Sequence, residues 1–232
     1  DSTNLCNPII SIITNIGIDH TILLGDSLTK IASEKAGIIK SAIPLVVGKH
    51  QAETDKIFEL ACSKIKAPLF FAEDDMELRV FQSDDEDIQT MDVWYKNEKI
   101  ITGLKSPLLG RYQEENICTA LRSIELLNEN KHIDVTSSEI SDGVENIISN
   151  TGFYGRWQKL STNPLTICDT GHNIDGIKAV IKQLDDLNFT HLHFVLGMVI
   201  DKDVFSILTI LPNKATYYFC KPDIPRGMDQ EE

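Results

Sequence analysis

Short apolar runs alternate, in the first third of the chain, with segments whose apolar residues recur every three or four positions. Three runs rich in β-branched and aromatic residues are typical of buried parallel strands: PIISIIT, PLVVG and PLFFA, at residues 8–14, 44–48 and 68–72. Between them the pattern predicts a helix with Asp26 or Ser27 as its N-cap and Gly37 as the residue that stops it, and a second helix over residues 51–66. The alternation predicts parallel βαβ units and therefore an α/β fold.

The middle of the chain has a different pattern. MDVWY and KIITGL flank the turn KNE within residues 91–104, which predicts an antiparallel hairpin. The acidic stretch at residues 73–92 is interpreted as a solvated loop or hairpin tip. Thr136 and Glu139 have capping-box spacing and open a helix that ends near residue 148. A further helix is predicted over residues 113–127, with one apolar face formed by Ile117, Ala120, Leu121 and Ile124.

The periodicity breaks at SNTGFYGRWQ, residues 149–158, which contains two glycines. We place a domain boundary there, with one domain at residues 1–152 and a second at 153–232. Beyond the boundary, strands and helices alternate at residues 165–169, 174–187, 191–197, 203–211 and 216–220. This order predicts a βαβαβ half of a Rossmann-like domain, with its three strands in one thin sheet.

The composition excludes some classes of partner. The chain has 232 residues, of which 35 are acidic and 22 basic, so its net charge is −13, and it has no block of Lys or Arg. Nucleic acid and anionic membranes are therefore poor partners, because phosphate backbones need a basic footprint. A hydrophobic content of 42% is enough for two modest cores.

The cysteines and the apolar runs bear on the compartment. The five cysteines are widely spaced and include no CxxC pair, which indicates free thiols in a reducing cytosol. No apolar run approaches the length of a membrane span, and the first residues lack the charged and apolar regions of a signal peptide. We therefore expect a cytoplasmic protein. Because the first residue is Asp, we also expect the chain to be part of a longer polypeptide.

The first candidate site follows the first strand. Asp19 and His20 come just past that strand, where ligands gather in open α/β sheets. Steps of three and four residues place Leu28, Ile31, Ala32 and Lys35 on one face of the next helix. An amine on a buried face snorkels, forms a pair or loses its proton, and a neutral amine is reactive. The alternative is that Lys35 snorkels to solvent while Asp19 and His20 close a turn.

Further candidates lie at the starts of two predicted helices and at the boundary. Gln113 and Asn116 lie three residues apart, and their amides suit an adenine edge, although a plain helix start is the alternative. Arg156 adjoins the boundary, where a guanidinium can reach a phosphate when domains close, although packed Arg–Trp pairs are common. Asp169 and His172 follow a strand directly, at a switch-point position, with a structural turn as the alternative.

Several longer motifs together resemble one known family. They are DSTN, ITNIGIDHT, LGDS, EKAGIIK, GRYQEEN, DTGHN, GMVIDKD and IPR, the first four at residues 1–4, 13–21, 24–27 and 34–40. They resemble the folylpolyglutamate synthase and dihydrofolate synthase family, the folate branch of the Mur ligases. GRYQEEN departs from that family's G-x-H-Q-x-x-N pattern, because Tyr112 stands where histidine is usual. DTGHN has Gly171 where alanine is usual.

The resemblance implies a fold and a set of roles. The fold would be the latter part of a Mur-ligase central ATPase domain, followed by an incomplete Rossmann-like C-terminal domain. His20 would bind Mg²⁺, and Lys35 would be carbamylated. Asp169 and His172 would be catalytic. The groups that would line the ATP site are Gln113, Asn116, Arg156, Asp169 and His172.

The resemblance also implies a function, that of a ligase that uses ATP and Mg²⁺ to add L-glutamate to dihydropteroate or folate through an acyl phosphate. The alternatives are a Mur ligase that makes peptidoglycan precursors and a non-catalytic nucleotide-binding remnant. The sequence contains no G-x-x-x-x-G-K-[ST] phosphate loop, so we expect no turnover from this chain by itself. The intact enzyme would be a monomer with small-molecule substrates.

Overall fold

Three parallel strands form the first sheet. The computed structural model describes residues 4–19, 24–81, 86–200 and 202–229. Strands β1 (Ser11–Ile13), β2 (Leu45–Val47) and β3 (Leu69–Phe71) pair in that order. Helices α1 (Leu28–Lys35) and α2 (Asp55–Ile65) connect them, which confirms the predicted βαβ units.

The bounds of α1 follow from its capping. The Ser27 side chain accepts a hydrogen bond from the Lys30 backbone N–H at 3.3 Å, so Ser27 and not Asp26 is the N-cap. The helix ends at Lys35 and a 3₁₀ turn, Ala36–Ile38, follows. Gly37 lies inside that turn, directly after the C-cap residue Ala36, which agrees with the prediction that Gly37 stops the helix.

The central strand of the first sheet, β2, is buried on both faces, as strands of parallel sheets usually are. Leu45 and Val47 face one way and pack with Ile31 of α1 and Phe58 of α2. Val46, between them, belongs to a second cluster on the other face. All three residues of β2 are at most 1% exposed, which explains the continuous apolar run in its sequence.

A second, antiparallel sheet follows. Its strands β4 (Met76–Phe81), β5 (Gln89–Tyr95) and β6 (Glu98–Ser106) pair in that order, and the predicted β5–β6 hairpin is confirmed. The turn residues Lys96 and Asn97 both have positive φ, of 49° and 67°, as a tight hairpin requires.

The acidic stretch was wrongly interpreted over its first part. Ala72–Asp75 form a short helix, α3, and β4 follows directly. The physical reason is burial, because Ala72 and Met76 are at most 2% exposed and anchor this segment in the core. Residues 82–85 at the tip lie outside the described residues.

Helix α4 (Tyr112–Glu129) packs on both sheets, and it confirms the predicted helix. Ile117 and Leu121 are buried, but Ala120 is exposed, so one member of the predicted face is wrong. The buried face includes Arg122 instead, which is 1% exposed. The Arg122 guanidinium pairs with Asp75 at 2.8 Å and lies 4.8 Å from the Phe70 ring centre, and this pairing allows a charge in the core.

Two short helices end this part of the chain, α5 (Ser137–Glu145) and α6 (Ile147–Thr151). The predicted capping box is present at the start of α5. The Thr136 hydroxyl accepts from the Glu139 backbone N–H at 3.3 Å, and the Glu139 carboxylate accepts from the Thr136 N–H at 2.8 Å.

The last part of the chain contains two separate strand pairs. Its elements are β7 (Gln158–Thr162), β8 (Leu165–Cys168), α7 (Ile174–Leu184), β9 (His193–Gly197), α8 (Val204–Ile210) and β10 (Thr216–Cys220). Strands β9 and β10 pair in parallel as expected, but β8 pairs antiparallel with β7. The expected three-stranded sheet is therefore wrong for β8. The reason is a short turn at Asn163 and Pro164, which folds the unpredicted β7 back onto β8.

The cysteines and helices can also be compared with the sequence predictions. All five cysteines are free thiols, as expected. None of the helices in the described ranges has both the length and the apolarity that crossing a bilayer requires.

Candidate active site at the junction of the two parts

Asp19, in the loop after β1, contacts three residues from the last part of the chain. Its carboxylate forms an ion pair with Lys202, lies 3.3 Å from His172 Nε2, and accepts a hydrogen bond of 3.4 Å from Asn173 Nδ2. We call these four residues the Asp19 junction. Only 18% of the Asp19 side chain and 7% of the Lys202 side chain are exposed. His20, the predicted metal ligand, lies outside the described residues.

Gln51 holds the loop that leads to Asp19. Its Oε1 accepts from the Ile16 N–H at 2.7 Å, and its Nε2 donates to the Ile16 carbonyl at 2.8 Å. Gln51 is held in turn, because its own N–H donates to Asp55 at 2.8 Å. One side-chain amide therefore binds both polar groups of one loop residue, as a neighbouring strand would.

His50 extends this network. Its ring stacks on Phe71 with centres 3.7 Å apart, and its two nitrogens lie 2.8 Å from Asp55 and 3.1 Å from Asp74. The hydrogen bond with Asp55 raises the pKa of His50 above its ordinary value of 6.5, and Asp74 acts in the same direction while burial opposes both. The imidazolium therefore links the segments that follow β2 and β3.

Lys35 lies at the end of α1. Ile31 and Ala32 of the predicted face are buried, while Leu28 and Lys35 are half-buried. Within the described residues, the Lys35 amine has no hydrogen-bond or ion-pair partner. Its carbamylation stays a prediction.

Asp169 directly follows β8 and accepts three hydrogen bonds. The Tyr112 hydroxyl donates at 2.5 Å, the Trp157 N–H at 2.8 Å and the Gly171 N–H at 2.7 Å. Burial, and then the Asp169 carboxylate, raise the pKa of Tyr112 well above its ordinary value, while Arg156 acts in the opposite direction. Tyr112 therefore stays a donor at neutral pH and ties the start of α4 to the end of β8.

The two candidate amides of α4 contact each other. Asn116 Nδ2 donates to Gln113 Oε1 at 2.9 Å. Asn116 is exposed, whereas Gln113 is 2% exposed and its Nε2 has no partner among the described residues. A buried N–H without an acceptor is costly, which favours an acceptor from water or a ligand beside it.

Arg156 and His172 differ in their surroundings. Arg156 is half-buried, donates to the Gly155 carbonyl at 3.2 Å and lies 5.9 Å from the Phe153 ring centre. His172 is 57% exposed, and its Nδ1 lies 2.9 Å from the Thr170 carbonyl, which leaves Nε2 directed at Asp19. The structure thus brings together Asp19 and His172 directly, while Arg156 acts on Tyr112 only through its charge.

Three residues of this region were not predicted as site residues: Gln51, Asn173 and Lys202. Lys202 lies in GMVIDKD, a motif that the resemblance includes, and so a sequence signal existed. Asn173 is the last residue of DTGHN, another motif that the resemblance includes, so a sequence signal existed for it too. Gln51 lies in none of these motifs.

Two cavities open beside these residues. One, of about 1100 Å³, is lined by residues from both parts of the chain, including Phe81, Tyr112, Trp157 and Gln183. A second, of about 580 Å³, is lined in part by Arg156 and Trp157. The remaining described candidates line neither of these two cavities: Asp19, Lys35, Gln113, Asn116, Asp169 and His172.

The donor set for a metal is incomplete in the part of the chain that the structure describes. No group of three or more His, Cys, Asp or Glu side chains in that part is arranged to hold a metal ion. Asp19 is already paired with Lys202.

The two parts of the chain match two domains of one enzyme family. Residues 1–124 match the Mur ligase middle domain, and residues 155–232 match the Mur ligase glutamate ligase domain. The fold and the junction therefore define an α/β ligase module, and the chain belongs to the Mur ligase family. The exact boundary between domains, near residue 152, stays a prediction.

Within that family the relatives are folate enzymes, which confirms the resemblance. The chain is 30% identical over 231 residues to the probable bifunctional folylpolyglutamate synthase/dihydropteroate synthase of Haloferax volcanii, covering 100% of the chain and 27% of that protein. It is 27% identical over 232 residues to the folylpolyglutamate synthase of Lacticaseibacillus casei, covering 99% of the chain and 53% of that protein. The chain thus spans about half the length of the Lacticaseibacillus casei protein and about a quarter of the length of the Haloferax volcanii protein.

Solved structures agree with these relatives. The chain superposes on an FPGS–AMPPCP–folate complex with a TM-score of 0.85 and 27% identity, over 96% of the chain and 53% of that protein. It superposes on E. coli FolC in complex with DHPP and ADP with a TM-score of 0.82 and 25% identity, over 100% of the chain and 51% of that protein. The similarity extends across both parts of the chain.

Proposed function

We propose that this chain carries part of an ATP-dependent ligase that adds L-glutamate to dihydropteroate or folate. The observation that carries the proposal is the Asp19 junction, where the loop after β1 meets the turn after β8. A ligase must bring a phosphoryl donor, a carboxylate and an amine to one place, and residues from two domains of a ligase family meet here.

The proposed chemistry has two steps. The substrate carboxylate attacks the γ-phosphoryl group of ATP, which gives an acyl phosphate and releases ADP. The glutamate amine then attacks the acyl carbon, loses a proton and displaces phosphate, so that an amide bond forms. Positioning and electrostatic stabilisation supply most of the catalysis in such transfers.

ATP would lie along the start of α4 and the turn after β8. Solved relatives bind AMPPCP or ADP, which supports a nucleotide site. We assign Gln113 and Asn116 to the adenine, because Gln113 Nε2 has no acceptor in the part of the chain that the structure describes and Asn116 is exposed beside it. Arg156 is assigned to the phosphates, and Asp169 and His172 to the nucleotide side of the reaction.

Under these assignments Asp169, His172 and Arg156 would have different roles. Three protein donors hold Asp169, so its contribution would be to fix the turn and accept one further hydrogen bond. The His172 side chain is 57% exposed, and its Nε2, which lies 3.3 Å from Asp19, would donate or accept a proton. Arg156 would offset substrate charge in a chain whose net charge is −13.

Mg²⁺ and the carbamate of Lys35 belong to the proposal as well. Mg²⁺ would neutralise phosphate charge, and His20 is the proposed ligand. The described residues do not complete a metal site, so no step of the reaction is assigned to the metal. We further propose a cytoplasmic, monomeric enzyme.

The test is an assay of the polypeptide that the complete gene encodes. It should release phosphate from ATP with glutamate and either dihydropteroate or tetrahydrofolate, and the product should gain one glutamate by mass. Turnover only with a UDP-linked muramoyl acceptor would place the enzyme in the peptidoglycan branch. Nucleotide binding with none of these acceptors used would indicate a non-catalytic remnant, and either result would refute the proposal.

A further inference from the structure

Gln183, in the last part of the chain, makes two hydrogen bonds to the segment that precedes α4. It lies in the last turn of α7 and is 8% exposed. Its Oε1 accepts from the Arg111 N–H at 2.9 Å, and its Nε2 donates to the Leu109 carbonyl at 2.8 Å. Asp186, just beyond α7, pairs with the Arg111 guanidinium at 2.7 Å. Both polar atoms of a buried amide are thus used on one short segment, residues 109–111.

That segment sets the start of α4. Arg111 is the N-cap residue, and among the described residues no side chain forms a hydrogen bond at this cap. The Gln113 N–H instead donates to the Gly110 carbonyl at 2.7 Å. Capping side chains normally fix the entry of a chain into a helix. Here the two hydrogen bonds from Gln183 to residues 109–111 fix the entry of the chain into α4 instead.

The other end of α7 lies at the Asp19 junction. Asn173 caps the helix by accepting from the Gly176 N–H at 2.7 Å, and it also donates to Asp19. A helix of this length is about 16 Å long and stiff. Helix α7 therefore connects the Asp19 junction at one end to the start of α4 at the other.

We propose that Gln183 is a positioning residue for the nucleotide site. It does not contact substrate; it fixes residues 109–111, and through them the directions of Tyr112, Gln113 and Asn116. This inference rests on the proposed function, because it assumes that α4 begins at the adenine. Gln183 lies outside all of the motifs on which the resemblance to the family rests. It also lines the cavity of about 1100 Å³.

The experiment compares ADP binding and local amide exchange in the polypeptide that the complete gene encodes. Gln183→Met keeps the length of the side chain and removes both hydrogen bonds. Gln183→Glu keeps the acceptor for the Arg111 N–H and removes the donor to Leu109. Lys178→Met is the matched control, because Lys178 is exposed on the same helix.

We expect Gln183→Met to weaken ADP binding by about tenfold, a usual size for coupling between sites. Exchange at the Arg111 amide should become faster in Gln183→Met, while Gln183→Glu should restore part of its protection. Lys178→Met should match the wild type in both measurements. A purely structural role would lower the unfolding temperature without changing the affinity of the folded protein for ADP.

The outcomes separate this inference from the proposed function. If the wild type binds ADP and Gln183→Met binds it equally well, Gln183 does not position the site. If the wild type does not bind ADP, the proposed nucleotide site is wrong, and the role of Gln183 is wrong with it. If Gln183→Met does not fold, the same comparison is made with Gln183→Glu, which must weaken ADP binding for the inference to stand.

Discussion

Asp19 and Lys202 form an ion pair although 183 positions separate them in the sequence. Lys202 is nearly buried, so its charge depends on Asp19 for compensation. His172 and Asn173 reach the same carboxylate from the turn after β8. One loop side chain therefore holds together two motifs of the last part of the chain.

Lys202→Met should destabilise the chain. The variant keeps the bulk of the side chain, but Asp19 loses its cation, and loss of a hydrogen bond to a charged group costs about 1.5–3 kcal/mol. The midpoint of urea unfolding, followed by circular dichroism, should fall accordingly. Lys30→Met is the control, because the Lys30–Asp26 pair is 65% and 78% exposed and solvent screens it, so its loss should change the midpoint little. Equal midpoints for the two variants would contradict the importance of the junction.

His50 should make stability depend on pH. Its pKa in the folded state is raised above 6.5, so the ion pairs of His50 with Asp55 and Asp74 contribute fully to the free energy of unfolding below the unfolded-state pKa. The contribution is then lost as pH rises through the raised pKa. His50→Phe keeps a ring on Phe71 and removes the charge, so its deficit in unfolding free energy should be larger near pH 6 than near pH 9. Because His50 is partly exposed, the difference should be about 1 kcal/mol or less.

An NMR titration tests the cause directly. The His50 ring should titrate above 6.5 in the wild type, and Asp55→Asn should lower its midpoint more than Asp74→Asn, because the Asp55 hydrogen bond is the largest cause of the shift. A wild-type midpoint at or below 6.5 would mean that the ion pairs with Asp55 and Asp74 do not stabilise the charged ring.

The sequence predicts elements well where the signal is local. Thr136 and Glu139 form their capping box, and Ser27 caps α1, because each bond joins residues three apart. The acidic segment of α3 and the polar strand β7 are missed, since burial of Met76 and pairing with β8 depend on distant residues.

The candidate site shows the same division. Motifs lead to Asp19 and His172, but they do not predict that these side chains meet. Lys202 lies in a family motif to which the sequence assigns no role, and Gln183 lies in no such motif. Their partners are 183 positions away for Lys202, and 72 and 74 positions away for Gln183, so only the tertiary structure brings them together.

Two glycine substitutions should have opposite effects. Gly143 is exposed inside α5, and a Cβ there would meet no atom of the described residues within 4 Å apart from its own helix backbone and chain neighbours, so Gly143→Ala should stabilise the chain by about 0.5–1 kcal/mol. At Gly48 a Cβ would lie 2.1 Å from the Thr14 carbonyl oxygen. Gly48→Ala should therefore destabilise the chain by about 3 kcal/mol. Thermal unfolding of both variants measures the contrast, and a stable Gly48→Ala variant would contradict the packing beside β1.

The capping box offers a smaller, graded test. Thr136→Ala removes the hydroxyl that accepts from Glu139 and should cost about 1 kcal/mol, whereas Thr136→Ser should cost much less. Glu139 has a pKa lowered by its hydrogen bonds from Thr136, the backbone N–H first. Its contribution should thus be present above the unfolded-state pKa and fade as pH falls through the lowered value. If urea unfolding midpoints of the Ala and Ser variants agree, the hydroxyl contributes nothing.

Lys35 should be carbamylated only when the site is assembled. Its amine has no partner among the described residues, which leaves it available to carbon dioxide, but it lies at the carboxyl end of α1. A carbamate anion is unfavourable there, because the helix dipole is negative at that end. We therefore expect the modification to require a cation, supplied by the Mg²⁺ that accompanies the nucleotide in the polypeptide that the complete gene encodes. With ¹³C-bicarbonate, a carbamate NMR signal should appear on adding Mg²⁺ and ADP, and Lys35→Arg should abolish it. Lys64→Arg, an exposed position at the end of α2, should leave it unchanged. A signal that persists in Lys35→Arg would mean that another amine is modified.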